Sequence, residues 1–277
     1  MAFDGIVIAN LVKDLNDKIV SGRISKIAQP EKDELLLTIK GNRENFRLLI
    51  SANASLPLLY FTETNKPSPL TAPNFCMLLR KHIANGRIVS VSQPGLERIV
   101  RIEIEHLDEM GDLKRKFLIV ELMGKHSNII FCDDENKILD SIKHISAQVS
   151  SVREVLPGRE YFIPHAGEKK DPLTITEEEF KELIGKTPQN LSKALYTDLT
   201  GLSPTVSAEL CHLASLDGDI SAKDFSDSEL THLYHAFTWI MDDVRQGNFT
   251  PNIIYQKEKP VEFASIPLSM FSGGDYR

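Results

Sequence analysis

The stretch RIVRIEIEHLDEMGDLKRKFLIVELM, residues 98–123, reads as two strands around a turn. Ile99, Ile102 and Ile104 mark the first strand, RIVRIEIEH (98–106), and RKFLIVELM (115–123) is the second. Both are rich in branched and aromatic residues, and GDLK between them is a turn signal. The same grammar extends outward on both sides. RIVSVSQ (87–93) precedes the pair; SNIIFCD (127–133) and KILDSIKHI (137–145) follow it, with DDEN as a second hairpin turn. Nearer the start, RISKIAQ (23–29), ELLLTIK (34–40) and FRLLISA (46–52) are strand-like, and GNREN (41–45) joins the last two. Consecutive strand signals of this kind predict a mostly antiparallel sheet.

Two helices interrupt the strands. Residues 6–20 place Ile8, Leu11, Val12, Leu15 and Ile19 on one stripe, and Ser21-Gly22 ends it. NFCMLLRKHIA (74–84) is the second, with Asn74 at its start and Asn85-Gly86 at its close. A loop rich in Pro, Ser and Thr (62–73) lies between β and α signals. The first 164 residues are therefore predicted to form an α+β domain. HAGEKKDPLT opens a polar linker, 165–175. Helical patterns then occupy 176–184, 188–197, 204–215 and 227–247, predicting an all-α domain over 176–250. Thr176 is a predicted N-cap, and Glu177, Glu178 and Glu179 complement the helix dipole. Residues 251–277 show little periodicity and are expected to be a tail, cut from a longer protein.

Bulk properties narrow the function. A chain of 277 residues with 42% hydrophobic content has room for two globular domains. No apolar run approaches the ~20 residues a spanning helix needs, and MAFDGIVIAN lacks the basic start of a signal peptide. Cys76, Cys132 and Cys211 lack CxxC spacing, which points to a reducing compartment and away from disulfides or zinc. A cytoplasmic protein without membrane attachment is expected. The net charge of −7 is uneven: residues 1–164 carry 22 Lys and Arg against 21 Asp and Glu, and residues 165–277 carry 10 against 18. Any nucleic-acid site must then be a local basic patch in the first part.

Several residues are candidates for that patch. Arg80, Lys81, Arg87, Arg98, Arg101, Lys114, Arg115, Lys116, Lys125 and Lys143 come from one helix end and several strand ends of one sheet. Arginine offers a fixed fork of donors for phosphate or a base edge, and Glu97 is placed to orient Arg98. In ELMGKHSNII (121–130), Gly124 makes a sharp bend that gathers Lys125, His126, Ser127 and Asn128. That corner either holds a phosphate or base edge, or is a turn whose polar side chains satisfy one another. TDLTGLSPTVSAEL (197–210) resembles a helix-hairpin-helix, with Ser203 capping a helix and Pro204 at its first position. Its Gly201 turn is either structural or a phosphate contact through Gly201 and Ser203. His232 and His235 lack a third ligand, no nucleophile elbow or phosphate-cradling loop occurs, and no metal or cofactor is expected.

MAFDG (1–5), GRISKIAQP (22–30), NFCMLLRKHI (74–83), GLERIVRIEI (95–104), ELMGKHSNII and LPGREYFIP (156–164) together resemble the NFACT family. These are bacterial ribosome quality control factors, also known as fibronectin-binding proteins. The resemblance implies a first domain like the N-terminal domain of formamidopyrimidine-DNA glycosylases, then a helix-hairpin-helix domain, with a coiled coil beyond it. It implies binding to the stalled large ribosomal subunit with its peptidyl-tRNA, and recruitment of alanyl-tRNA for C-terminal alanine tailing. The family's Asp-Arg pair for tRNA recruitment falls on Glu97 and Arg98, the acid being one methylene longer here. On this resemblance the tRNA-binding residues are Glu97, Arg98, Arg80, Lys81, Lys125 and His126. The glycosylases attack with an N-terminal proline amine; Ala2 and Phe3 stand here, so no enzymatic activity is expected. The rival reading is a surface adhesin that binds fibronectin.

Overall fold

The computed structural model describes residues 3–164 and 169–277, so Met1, Ala2 and the first four residues of the expected 165–175 linker lie outside the described residues. In chain order the elements are α1 (Gly5–Ile19), β1 (Arg23–Glu31), β2 (Glu34–Lys40), β3 (Asn45–Ser51), β4 (Leu58–Phe61), α2 (Asn74–Ile83), β5 (Arg87–Ser92), β6 (Ile99–Leu107), β7 (Leu113–Glu121), β8 (Asn128–Asp133) and β9 (Ile138–Ser141). They are followed by α3 (Glu177–Gly185), α4 (Leu191–Asp198), α5 (Pro204–Leu213), α6 (Asp227–Gln246), β10 (Asn252–Gln256) and β11 (Lys259–Ala264). The class is α+β, with a large antiparallel sheet and helices.

The chain forms two compact units, and they are not its two contiguous parts. One comprises Val12–Gln93 with Ile99–Pro164; the other comprises Met1–Leu11, Pro94–Arg98 and His165–Arg277. The first, the sheet unit, holds nine strands in the order β4-β3-β2-β1-β5-β6-β7-β8-β9, every neighbouring pair antiparallel. In the middle of the sheet β1 meets β5 over a short stretch around the Arg23↔Arg87 pair, flanked by backbone hydrogen bonds from Ile24 N–H to the Gly86 carbonyl and from Ile88 N–H to the Gly22 carbonyl, each at 2.9 Å. β6 shows the alternation the sequence suggests: Val100, Ile102, Ile104 and His106 are buried, while Arg101, Glu103 and Glu105 are partly exposed. α2 lies on β1, β6 and β9, burying Phe75, Cys76, Leu79 and Ile83. The other face of β6–β9 has its own core of Ile99, Ile119, Ile130, Cys132 and Ile138, covered by Val155 and Tyr161.

Glu121 sits beneath that cover, fully buried. It pairs with Arg153 and accepts a 2.9 Å hydrogen bond from the Tyr161 hydroxyl. Arg153 also stacks over the Tyr161 ring and donates to the Phe162 carbonyl at 2.7 Å. A buried carboxylate needs such partners, and these ones pin the 153–162 segment to the sheet. Burial still pushes the Glu121 carboxyl above its ordinary range, against the pull of Arg153.

In the second unit, α3 to α6 share one core, with Phe180 and Phe237 rings 4.9 Å apart at its centre. α3 begins with a capping box, Thr176 with Glu179, and α6 with another, Ser226 with Glu229. Gly247, in the left-handed region at φ 72°, ends α6. Ile6 and Leu96 belong to this same core.

Four sequence expectations are revised. β4 lies just beyond Pro57, before the 62–73 loop, where no element was expected; only 138–141 of the 137–145 stretch is strand; and β6 starts at Ile99, so Glu97 and Arg98 precede it. The stretch 251–277, expected as a tail, carries a hairpin of β10 and β11, and Ala264, Ile266 and Leu268 enter the helical core. The turn joining these strands is Lys257-Glu258, with φ of 47° and 68°. Such a turn ordinarily takes Asn or Gly, so its residues gave no signal. Glu209 on α5 is buried and accepts from the backbone N–H groups of Ser269 and Met270 at 2.8 and 3.0 Å, which ties the tail down.

Candidate nucleic-acid interface

Glu97 and Arg98 sit in the same unit as the Gly201 turn and the start of α1. The hub of this region is Asp4. Its Oδ1 accepts from the Val7 N–H at 2.8 Å, which caps α1. Its Oδ2 accepts from the Ser203 hydroxyl at 2.8 Å, and the Ser203 Oγ in turn accepts from the Val206 N–H at 3.2 Å, capping α5. One carboxylate therefore serves the starts of two helices. Asp4 is buried, and burial raises its pKa; hydrogen bonds from Val7, Ser203 and Ile6 and the nearby charge of Arg98 oppose the shift.

The backbone closes around the same point. Gly5 N–H donates to the Gly201 carbonyl at 2.8 Å. A Cβ on Gly5 would overlap the Leu96 carbonyl oxygen and lie 2.9 Å from the Gly201 Cα; a Cβ on Gly201, whose φ is +81°, would also strike the Leu96 carbonyl. Both glycines are thus required by contact, and Gly201 by conformation as well. Leu96 is buried, Glu97 half-buried and Arg98 exposed. The exposed guanidinium of Arg98 makes no salt bridge among the described residues.

The hydroxyl at the Gly201 turn is engaged within the chain. Ser203 is 9% exposed, and its hydroxyl is committed to Asp4 and Val206. The negative charge at the α5 start comes from within the chain, where an RNA phosphate was one of the two readings. Asp4 was missed by sequence reasoning, although an acid directly before an apolar helical stripe is an N-cap signal.

The remaining candidates lie in the sheet unit, and they do not form one patch. Lys125 and His126 are exposed on the one-turn 3₁₀ helix (Gly124–His126) between β7 and β8. The neighbouring polar residues turn inward: Ser127 Oγ donates to the Gly124 carbonyl at 2.7 Å, and Asn128 bonds both ways with the Lys143 backbone. Arg80 donates from Nε to the Ile27 carbonyl at 2.8 Å. Lys81 lines a cavity of about 580 Å³ at the other end of β7, with His82, His106, Lys114 and Lys116. The nine-residue strand puts roughly 25 Å between the two ends. Arg87 and Arg115 are spent on Glu105 and Glu103, each at 2.7 Å, and Arg101 stacks on Phe117. Among the described residues no group of three or more His, Cys, Asp or Glu could hold a metal ion.

A family model for NFACT N-terminal and middle domains matches residues 4–276. The chain belongs to the NFACT family. The Rqc2 homolog RqcH of Bacillus subtilis is 37% identical to this NFACT chain over 254 residues, which is 91% of the chain and 43% of the relative. The chain thus spans less than half the length of that relative. Among solved structures, the fibrinogen binding protein from Staphylococcus aureus is similar at a TM-score of 0.81 and 31% identity, covering 99% of this chain and 94% of that one. The N-terminal part of the fibronectin/fibrinogen-binding protein from Streptococcus suis is similar at 0.77 and 29%, covering 97% and 91%. Among the described residues no helix is long and apolar enough to cross a membrane.

Proposed function

We propose that this NFACT chain is a non-enzymatic, cytoplasmic RNA-binding module of a ribosome quality control factor. In this reading the whole factor binds the stalled large ribosomal subunit with its peptidyl-tRNA and recruits alanyl-tRNA for C-terminal alanine tailing. Peptide-bond formation is then the ribosome's chemistry. Glu97 and Arg98 are the tRNA contact, Arg98 by its fork of donors and Glu97 by accepting from a base or steadying that fork. The α4–turn–α5 segment positions them: Gly201 and Ser203 hold Asp4 and Leu96, and Leu96 carries the pair. Lys125 and His126, and Arg80 and Lys81, serve as two separate backbone contacts.

The observation that carries this reading is the exposed guanidinium of Arg98, without a salt bridge among the described residues, on a segment locked by Gly5, Leu96 and Gly201. Pre-organised donors lose little entropy on binding. The test is Arg98→Ala: tRNA recruitment is expected to vanish while the circular-dichroism melt stays that of the wild type. A variant that still co-purifies with alanyl-tRNA at wild-type levels overturns the assignment. Glu97→Asp restores the family's acid and is expected to keep or strengthen recruitment.

A second reading, a fibronectin-binding adhesin, is favoured by what the similar structures are said to bind. Localising the protein in intact cells separates the two, since an adhesin has to be mostly extracellular.

A further inference from the structure

The cavity at the β6–β7 hairpin has the makings of a second site. Cross-strand pairing sets Lys114 opposite His106 and Lys116 opposite Ile104, so both lysines share the face of β6 that α2 covers. α2 adds Lys81 and His82. None of the three lysines has a salt bridge among the described residues. Two acids line the same wall, Asp108 and Glu109, and Asp108 spends its Oδ1 on the N–H groups of Met110 and Asp112, at 2.9 and 2.8 Å. Three ammonium groups against two carboxylates leave the concavity net positive, which suits an anion with several oxygens.

His106 adds a second, independent demand. It is 7% exposed, and its Nε2 has no hydrogen-bond partner among the described residues and is closed to solvent, so a ligand donor reaches it only as the cavity wall gives. Its Nδ1 lies 3.2 Å from the Leu107 carbonyl oxygen, which can only accept, so Nδ1 carries the proton. Burial first, and then the charge of Lys116, hold His106 and His82 below the ordinary histidine value. In a neutral ring with Nδ1 protonated, Nε2 is an acceptor waiting for a donor. Phosphate has none to offer, but the 2′-hydroxyl of a ribose has one.

We propose that this cavity takes one ribonucleotide of an RNA strand. Lys81, Lys114 and Lys116 face the phosphate, His106 Nε2 accepts from the 2′-hydroxyl, and the exposed Leu107 and Met110 lie against the base. A volume of about 580 Å³ suits a ligand of that size. The proposal rests on the RNA-binding reading above and adds to it a site that distinguishes RNA from DNA.

The test is fluorescence anisotropy on the whole chain with three single-stranded hexamers of one sequence: RNA, its 2′-O-methyl form and DNA. Wild type is expected to prefer RNA over the other two, since neither carries the hydroxyl donor. Lys114→Ala with Lys116→Ala is expected to weaken RNA binding about tenfold and to flatten the salt dependence by about 1.4 in log–log slope, as the loss of two phosphate contacts requires. His106→Phe is expected to bring RNA binding down to the DNA level. If wild type binds all three oligomers alike, or the lysine variant matches wild type while Arg98→Ala does not, the cavity is not the site and the wider reading stands. If wild type binds no RNA at all, both fall. Competition by polyglutamate as effective as by RNA would assign the lysines to an acidic peptide and overturn the proposal.

Discussion

Asp4 joins two helix starts through one side chain, and its burial has a measurable sign. Its pKa is raised above 3.8, so the folded chain favours the protonated acid. Stability from that preference is fully present below the ordinary value and is lost as pH rises through the raised one. Asp4→Asn keeps an acceptor for Val7 and a polar partner for Ser203 but removes the titration. In urea unfolding between pH 4 and 7, wild type is expected to lose stability relative to Asp4→Asn as pH increases. Equal slopes would show that Asp4 does not carry the effect. Gly201→Ala combines a positive φ with a clash against the Leu96 carbonyl, and about 2 kcal/mol or more of destabilisation is expected in the same assay. At this scale the sequence was informative where a residue type has a single use. Gly201, Ser203 and Pro204 announced a turn and a cap, and the cap is there. The partner of that cap, 199 positions away, had no local mark.

At the scale of elements, the cover over the second face of the sheet depends on Glu121, Arg153 and Tyr161. Arg153→Met leaves Glu121 buried without its cation, and a loss of about 3–5 kcal/mol is expected from equilibrium unfolding. Glu121→Gln with Arg153→Met removes both charges and is expected to recover part of that loss. Strands and helices with a clean period were legible: α1, β2, β6, β7 and α6 lie where their apolar spacing puts them. β10 and β11 were not, because their turn uses Lys and Glu in left-handed conformations and Pro260 lies inside a strand. A signal was present in Ala264, Ile266 and Leu268, whose spacing of two matches their burial. The basic candidates were legible as residues but not as a group. Strand length alone sets Lys125 and Lys81 at opposite ends of β7, and distance of that kind is fixed by register, which a single sequence does not display.

For the whole molecule, burial decides the thiol chemistry. Cys76, Cys132 and Cys211 are all free and buried, and burial pushes the Cys132 and Cys211 thiols up to about 12. Native protein is expected to resist a thiol-reactive dye at pH 8, and all three positions to react once urea unfolds the chain. Fast labelling of any cysteine in the native state would contradict the packing. The discontinuous units have a similar bearing on dissection. A fragment ending at residue 164 retains Ile6 and Leu96 without the core that buries them. It is expected to bind a hydrophobic dye and to melt less cooperatively than the intact chain, as seen by calorimetry.

That threading also orders events during synthesis. Residues 5 and 96 leave the ribosome long before Gly201, the third party to their close approach. At typical elongation rates the segment around Leu96 waits roughly 5–20 s for the turn that receives it. A nascent chain interrupted in that interval presents an unfinished seam, and its exposed apolar residues are what a chaperone would recognise first.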